Sequence, residues 1–193
     1  MKTVFFTGIN NGFDAELLSV FSENGYEVYV SGALVPDYID IYIETANYKS
    51  DSDDFSVEDD IDYDAVYETY AANVLKPLET YEEFLPLIKL GSVKRLCFIT
   101  GSGAGINNCS DVSGFGYNMS KAGLHNFLQI IKNRLSPEGF TFRAFDPSGG
   151  EISDKLSAVS AFNYFTRRRG VEGGRDDEPK FVIRDAFGRE RSW

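Results

Sequence analysis

The stretch from Arg95 to Leu124, RLCFITGSGAGINNCSDVSGFGYNMSKAGL, constrains the fold more than any other part of the chain. It opens on a strand-length apolar run, Leu96 to Ile99, that stops at Thr100-Gly101-Ser102. A Gly- and Asn-rich loop follows. Apolar residues then recur at Leu124, Phe127, Leu128, Ile131 and Leu135, a spacing of three and four that predicts a helix with one buried face from about Tyr117. Tyr117 and Lys121 are four apart, so they share a face of that helix about one turn from each other. A phenol held near an ammonium has its phenolate form favoured, which makes it a usable general acid or base nearer neutral pH. The Ser102 hydroxyl, at the strand end, is placed to hydrogen-bond the same reacting oxygen. A Tyr-x-x-x-Lys pair by itself is common on helices. The order of strand-end Ser, Gly-rich loop and pair is what distinguishes this one.

The N-terminal stretch repeats the strand–loop–helix order. Thr3 to Phe6 reads as a strand, and Thr7-Gly8-Ile9-Asn10-Asn11-Gly12-Phe13-Asp14 follows it directly. Ala15 to Asn24 carries Leu17, Leu18 and Phe21 at helical spacing and stops at Gly25, and Tyr26 to Val30 reads as a second strand. Such a unit cradles a dinucleotide pyrophosphate against a helix N-terminus. The glycine pair alone reads more readily as a tight turn; its place near the N-terminus between strand and helix reverses that and favours the phosphate reading.

In this order the residues resemble the short-chain dehydrogenase/reductase family, whose Ser, Tyr and Lys occupy the same arrangement; Ser102, Tyr117 and Lys121 match it position by position. The resemblance implies an NAD(P)-dependent oxidoreductase that moves a hydride between NAD or NADP and a carbonyl or alcohol substrate. It assigns Tyr117 as the proton donor, Ser102 as its orienting partner, Lys121 as the group that lowers the Tyr pKa and binds the nicotinamide ribose, and Asn73 as part of a proton relay. It puts the cofactor against Gly8, Asn10, Asn11, Gly12, Phe13, Ala46, Tyr117, Lys121 and Pro147. It also implies a homo-oligomer, foremost a dimer, built by the helices over Ala65–Leu90 and Tyr117–Leu135.

The chain departs from the family pattern in four places. The glycine turn of the family reads Thr-Gly-x-x-x-Gly-x-Gly, and Asp14 stands at its third glycine. A carboxylate there either repels a pyrophosphate or is an exposed first-turn acid that complements the helix dipole. Ile39 to Asn47 resembles the family's fourth strand with its Asn-Asn-Ala-Gly ending, of which only Ala46 survives beside Glu44, Thr45 and Asn47. Only about ten residues, Ser31 to Asp40, separate it from the second strand, where the family has a helix, a strand and another helix. Ile39 to Tyr48 is therefore either that fourth strand, with the adenosine-binding half reduced, or an ordinary third one. After the strand Phe140 to Phe145, Asp146-Pro147-Ser148-Gly149-Gly150 replaces the family's Pro-Gly and Thr loop; Ser153 either stands in for that Thr or, the reading its place favours, caps the helix running from Asp154 towards Phe165. These departures keep a second class open, a non-catalytic binding or signalling relative with impaired cofactor binding.

The remaining segments are less informative. Asp51 to Asp64 reads as a solvated acidic loop, and Pro77 is expected to kink the Ala65–Leu90 helix. Arg167 to Arg169 reads as a basic helix end, Gly170 to Glu178 as a polar connector and Lys180 to Arg184 as a closing strand. The net charge of -11 over 193 residues argues against nucleic acid as the main partner. Cys97 and Cys109 form no disulfide framework or metal cluster, and His125, mid-helix, reads as structural. Six residues before a glycine loop make no signal peptide, and no apolar run approaches the roughly twenty residues of a membrane span, so the expected compartment is the cytoplasm. The expected fold is a single α/β domain over 1–193: a Rossmann-like, doubly wound, mainly parallel sheet, reduced in its adenosine-binding half.

Overall fold

The computed structural model describes residues 1–56, 58–101, 105, 110–148, 152–167, 177 and 179–191. The elements in chain order are β1 (Thr3–Phe6), α1 (Gly12–Glu23), β2 (Glu27–Val30), β3 (Ile41–Glu44), α2 (Tyr63–Tyr70), a π-helical turn (Ala71–Leu75), α3 (Lys76–Leu90) and β4 (Arg95–Ile99). They continue as α4 (Phe115–Leu135), a 3₁₀ turn (Ser136–Glu138), β5 (Thr141–Asp146), α5 (Asp154–Thr166), β6 (Ile183–Asp185) and β7 (Glu190–Arg191). Among the described residues, seven strands form one sheet in the order β2-β1-β3-β4-β5-β6-β7. Every pairing is parallel except β6 with β7, a closing hairpin whose second strand the apolar pattern did not reveal.

Side chains alternate across the strands and build two cores. On one face Phe5, Tyr42, Leu96, Phe98 and Phe142 pack with Tyr81, Phe84 and Ile88 of α3 and Leu124, Leu128 and Ile131 of α4. On the other, Val4, Phe6, Ile43, Cys97 and Phe145 pack with Leu17 and Phe21 of α1 and Ala158, Ala161 and Phe165 of α5. A parallel sheet covered on both faces needs apolar residues at consecutive strand positions, which explains why TVFF and RLCFI are buried along their whole length.

The strand order decides how the short second crossover is to be read. β3 lies between β1 and β4, with Phe5 opposite Tyr42 and Ile43 opposite Cys97. An ordinary third strand would add outside β2 in a doubly wound sheet, so β3 is the counterpart of the family's fourth strand, and the sheet ends at β2. Residues 31–40 return from the C-terminal end of β2 to the N-terminal edge of the sheet without a helix or strand of their own. That edge is held by the buried Asp40, whose carboxylate accepts from Thr3 N (3.1 Å), Ser92 N (2.7 Å), Ser92 Oγ (2.8 Å) and Val93 N (3.2 Å).

Two expectations change in detail. The Ala65–Leu90 helix is interrupted by the π turn, and Pro77 sits in the first turn of α3, where its missing N–H costs nothing, instead of kinking a continuous helix. The acidic run is not all solvated loop: Asp53 and Phe55 within it are buried.

Candidate active site

The site lies at the C-terminal ends of β1, β3, β4 and β5, where an open α/β sheet leaves a crevice. Tyr117 stands in the first turn of α4. That helix has Gly114, in the left-handed region at φ 76°, at its N-cap with no side-chain cap of its own. Asp53 caps it from a distance instead: Oδ1 accepts from Gly116 N at 2.9 Å and Oδ2 from Tyr117 N at 2.7 Å. A carboxylate at a helix N-terminus also complements the macrodipole. An acid from the run read as solvated thus fixes the backbone that carries Tyr117.

Tyr117 and Lys121 come together as the spacing predicts, with Lys121 Nζ 5.4 Å from the phenol ring centre. The Tyr117 hydroxyl donates to Asn47 Oδ1 at 3.0 Å. A Cβ on Gly101 would lie 2.6 Å from that hydroxyl, so only glycine lets the phenol reach the end of β4. Ser102, the next residue, lies outside the described residues, as does Cys109. Lys121 is fully buried and donates to the Ala46 carbonyl at 3.1 Å.

The electrostatics differ from the expectation that the ammonium favours phenolate. Burial, with the Asp146 charge adding to it, pushes the Tyr117 phenol up to about 12. Burial pushes Lys121 down to about 8 against the pull of Glu44 and Asp146. The free site therefore holds a neutral phenol beside a partly desolvated ammonium, and Tyr117 is a proton donor throughout the neutral range. His125 is structural, as expected: buried, its Nε2 lies 2.6 Å from Thr100 Oγ1, and burial and Lys121 push it down to about 4.

Asn73 sits in the π turn, and its side chain is fully engaged. Oδ1 accepts from Tyr48 N at 2.8 Å, while Nδ2 donates to Tyr48 O at 2.7 Å and Ser120 Oγ at 2.9 Å. Its visible work is to clamp the chain after β3, not to hold out a free polar group. Residues 44–48 consequently brace the whole site. Glu44 holds Thr7 and the Ala46 amide, Ala46 receives Lys121, Asn47 receives Tyr117, and Tyr48 is gripped by Asn73. Sequence reasoning had counted Glu44 and Asn47 as losses from a motif; only their position after a β3-like run signalled a role.

The dinucleotide end is less open than the glycine turn suggests. Asn11 caps α1 through Oδ1 to Asp14 N at 2.9 Å, and the first-turn amides of Gly12 and Phe13 remain free of intrahelical partners. A Cβ on Gly8 would make only van der Waals contact, 3.4–3.6 Å from the side chains of Asn10 and Thr45. Asn10 spends its side chain on Thr45 O (3.0 Å) and Thr45 Oγ1 (3.2 Å), and the Phe13 ring stacks on Phe145 in the core, so these two offer a cofactor only backbone. Pro147 is half-buried just past Asp146. Asp14 is not an exposed first-turn acid. It is wholly buried, Oδ2 accepts from Asn10 N at 2.9 Å, and Oδ1 has no partner. Burial pushes its carboxyl up to about 6, with Asp154 adding to the rise. Asp154 at the start of α5 lies across Gly12, where a Cβ would come within 2.4 Å of its Oδ2. Two carboxylates, Asp14 and Asp154, therefore crowd the seat that a pyrophosphate would take at the start of α1. Above Tyr117 opens a cavity of about 460 Å³ lined by Lys49, Asp111, Ser113, Asn118 and Ser148 among others.

Comparison with known proteins follows the same line. No family model matches the chain. An uncharacterised oxidoreductase of Saccharomyces cerevisiae is 33% identical over 104 residues, 54% of this chain and 40% of the relative. The protein named C-signal of Myxococcus xanthus is 31% identical over 81 residues, 42% of this chain and 49% of that one. The chain thus spans less than half the length of these two relatives. Among solved structures, a Burkholderia multivorans protein provisionally assigned as a short-chain alcohol dehydrogenase superposes with a TM-score of 0.80 at 14% identity, covering 100% of this chain and 99% of that one. A carbonyl reductase of Pseudomonas aeruginosa in complex with NADP gives 0.75 at 16% identity over 100% of both. The resemblance to the short-chain dehydrogenases/reductases read from the sequence is borne out: the chain has their fold.

Proposed function

We propose that this chain, folded as a short-chain dehydrogenase/reductase, is a cytoplasmic oxidoreductase that reduces a carbonyl or oxidises an alcohol with NAD or NADP, bound weakly. The observation that carries the reading is Tyr117 and Lys121 on one face of α4, the phenol emerging beside Gly101 beneath the cavity. A bound nicotinamide supplies or accepts the hydride. Tyr117, neutral up to about 12, donates its proton to the carbonyl oxygen. Lys121 stabilises the phenolate left behind and contacts the nicotinamide ribose. Ser102 orients the substrate oxygen. Asn73 acts by holding the Tyr48 backbone and Ser120 in place beside the relay path. Gly8, Asn11, Gly12 and the backbone of Asn10 and Phe13 line the phosphate end, and Ala46 and Pro147 the nicotinamide end.

Cofactor binding is where a second reading has its support. The sheet ends at β2, so the wall on which adenosine would rest is missing, and Asp14 and Asp154 oppose a pyrophosphate. A binding or signalling protein that keeps the fold without turnover follows from the same features. Calorimetric titration with NAD, NADH, NADP and NADPH, together with a panel of small carbonyls, separates the two. High-micromolar binding with turnover abolished in Tyr117→Phe supports the enzyme; no binding by any of the four supports the second reading. We also propose a homodimer through the helical stretch Ala65–Leu90 and α4, on which Tyr67, Leu75, Leu90, Met119 and Ile130 are exposed.

A further inference from the structure

Several buried ionisable groups play no part in the mechanism above, and one of them acts on Lys121. Glu44, at the end of β3, is 2% exposed and stands where the family has an asparagine. Its carboxylate is held by three donors: Thr7 Oγ1 to Oε1 at 2.8 Å, Ala46 N to Oε1 at 3.0 Å and Tyr42 OH to Oε2 at 2.9 Å. A structural carboxylate satisfied by neutral donors alone is replaceable by glutamine. This one also faces a buried cation. Among the described residues Lys121 has no carboxylate in ion-pair contact, and its ammonium bonds to the carbonyl of the same Ala46 whose amide bonds to Glu44.

We propose that Glu44 is a positioning residue for this reaction: its anchored carboxylate supplies the buried negative charge that keeps the Lys121 ammonium protonated and seated on the Ala46 carbonyl. The inference rests on the role given to Lys121 under the proposed function. Four ionisable groups face Lys121. Glu44 on β3 and Asp146 on β5 favour its charge, and His125 on α4 is neutral at working pH. Tyr117, on the preceding turn of α4, is uncharged until it gives up its proton. Asp146 is anchored by Ser148 on its Oδ1 side and lies close to Arg191 and Asp185. Glu44 and Asp146 both favour the Lys121 charge, and Glu44 is the one that shares Ala46 with its ammonium. Thr7, in the glycine turn, joins the two ends of the site through Glu44: the chain that seats the phosphates also sets the charge at the nicotinamide.

The test reads Lys121 directly. Protein labelled with ¹³Cε-lysine is titrated by NMR, with the Lys121 signal assigned by its loss in Lys121→Met. Glu44→Gln, checked for native circular dichroism, is expected to lower the Lys121 midpoint by about one pH unit, in the range an opposite buried charge exerts. Glu44→Asp, which keeps the charge, is expected to retain most of the native midpoint. An unchanged midpoint in folded Glu44→Gln, or equal shifts in the Gln and Asp variants, overturns the proposal. If Glu44→Gln does not fold, Lys121→Met gives the reciprocal measurement: the Glu44 carboxyl midpoint, followed at ¹³Cδ, rises when the ammonium is gone, and no movement overturns the proposal. In turnover assays the alkaline limb of kcat/KM moves down with the NMR midpoint in Glu44→Gln. A wild-type chain that turns over no carbonyl defeats the functional reading, while the NMR midpoints still decide the role of Glu44.

Discussion

Replacing Asp14 by asparagine tests the most unusual feature of the nucleotide end. The native carboxyl titrates near 6, against 3.8 for an unperturbed aspartate. Between those values the folded state binds more protons than the unfolded one, so folding loses stability as pH rises through the window. The full cost, present above about pH 6, is about 3 kcal/mol, at about 1.36 kcal/mol for each pH unit between 3.8 and about 6. Asparagine keeps an acceptor for the Asn10 amide and removes the charge. Asp14→Asn is therefore expected to be more stable than wild type by up to about 3 kcal/mol at pH 7.5, by about half that at pH 5, and by little at pH 4. Urea unfolding followed by circular dichroism at those three pH values measures the series. The same variant should bind NADP(H) at least about tenfold more tightly, a gain of about 1.4 kcal/mol, because one of two carboxylates crowding the pyrophosphate seat has gone. A stability difference that does not change with pH would refute the assignment of a desolvated, ionised Asp14. Unchanged affinity would refute its influence on the phosphates.

Tyr117→Phe should lower kcat for any carbonyl substrate by about 10²–10⁴-fold with thermal unfolding unchanged; a variant with native turnover removes Tyr117 from the mechanism. Since burial holds Lys121 near 8, kcat/KM for reduction should decline as pH rises past about 8, the ammonium being lost first. His125, held near 4, contributes stability that is fully present above about pH 6.5 and is lost as pH falls through 4, worth about 3 kcal/mol. Its loss runs opposite to the gain at Asp14, so acid unfolding should steepen in Asp14→Asn. Asp40→Ala leaves buried donors of Thr3, Ser92 and Val93 unsatisfied and should cost about 3 kcal/mol or more by chemical denaturation. Light scattering at micromolar concentration should give a dimer mass, and a monomer would dismiss the proposed helical interface.

The strands and helices were legible because their apolar periods are strong. TVFF, IYIE and RLCFI are fully buried runs, and the spacing from Leu124 to Leu135 is that of one helix face. The Tyr117–Lys121 pairing followed from helix geometry alone, and so did the cap at Ser153. Sequence reasoning also found the missing segment between β2 and β3, since ten residues are too few for a helix and a strand. It could not say where β3 lay, because strand order depends on which hydrophobic faces meet across the sheet and not on local pattern. Asp53 is the plainest case of what tertiary contact decided. One acid in a run of acids is solvated or buried according to whether a helix N-terminus sixty-odd residues away needs an acceptor, and here Gly116 and Tyr117 do. The charge state of the site was equally invisible. A phenol one turn from an ammonium suggests a lowered pKa, yet burial raises it by penalising the anion, and the Asp146 charge adds to the rise. The sequence by itself determined the buried parallel strands, most of the helices and the face carrying Tyr117 and Lys121, but not the closing strand β7 or the π turn. Burial and long-range hydrogen bonds decided which of Glu44, Asp14, Asn47 and Asp53 matter, since each owes its environment to residues distant in the chain.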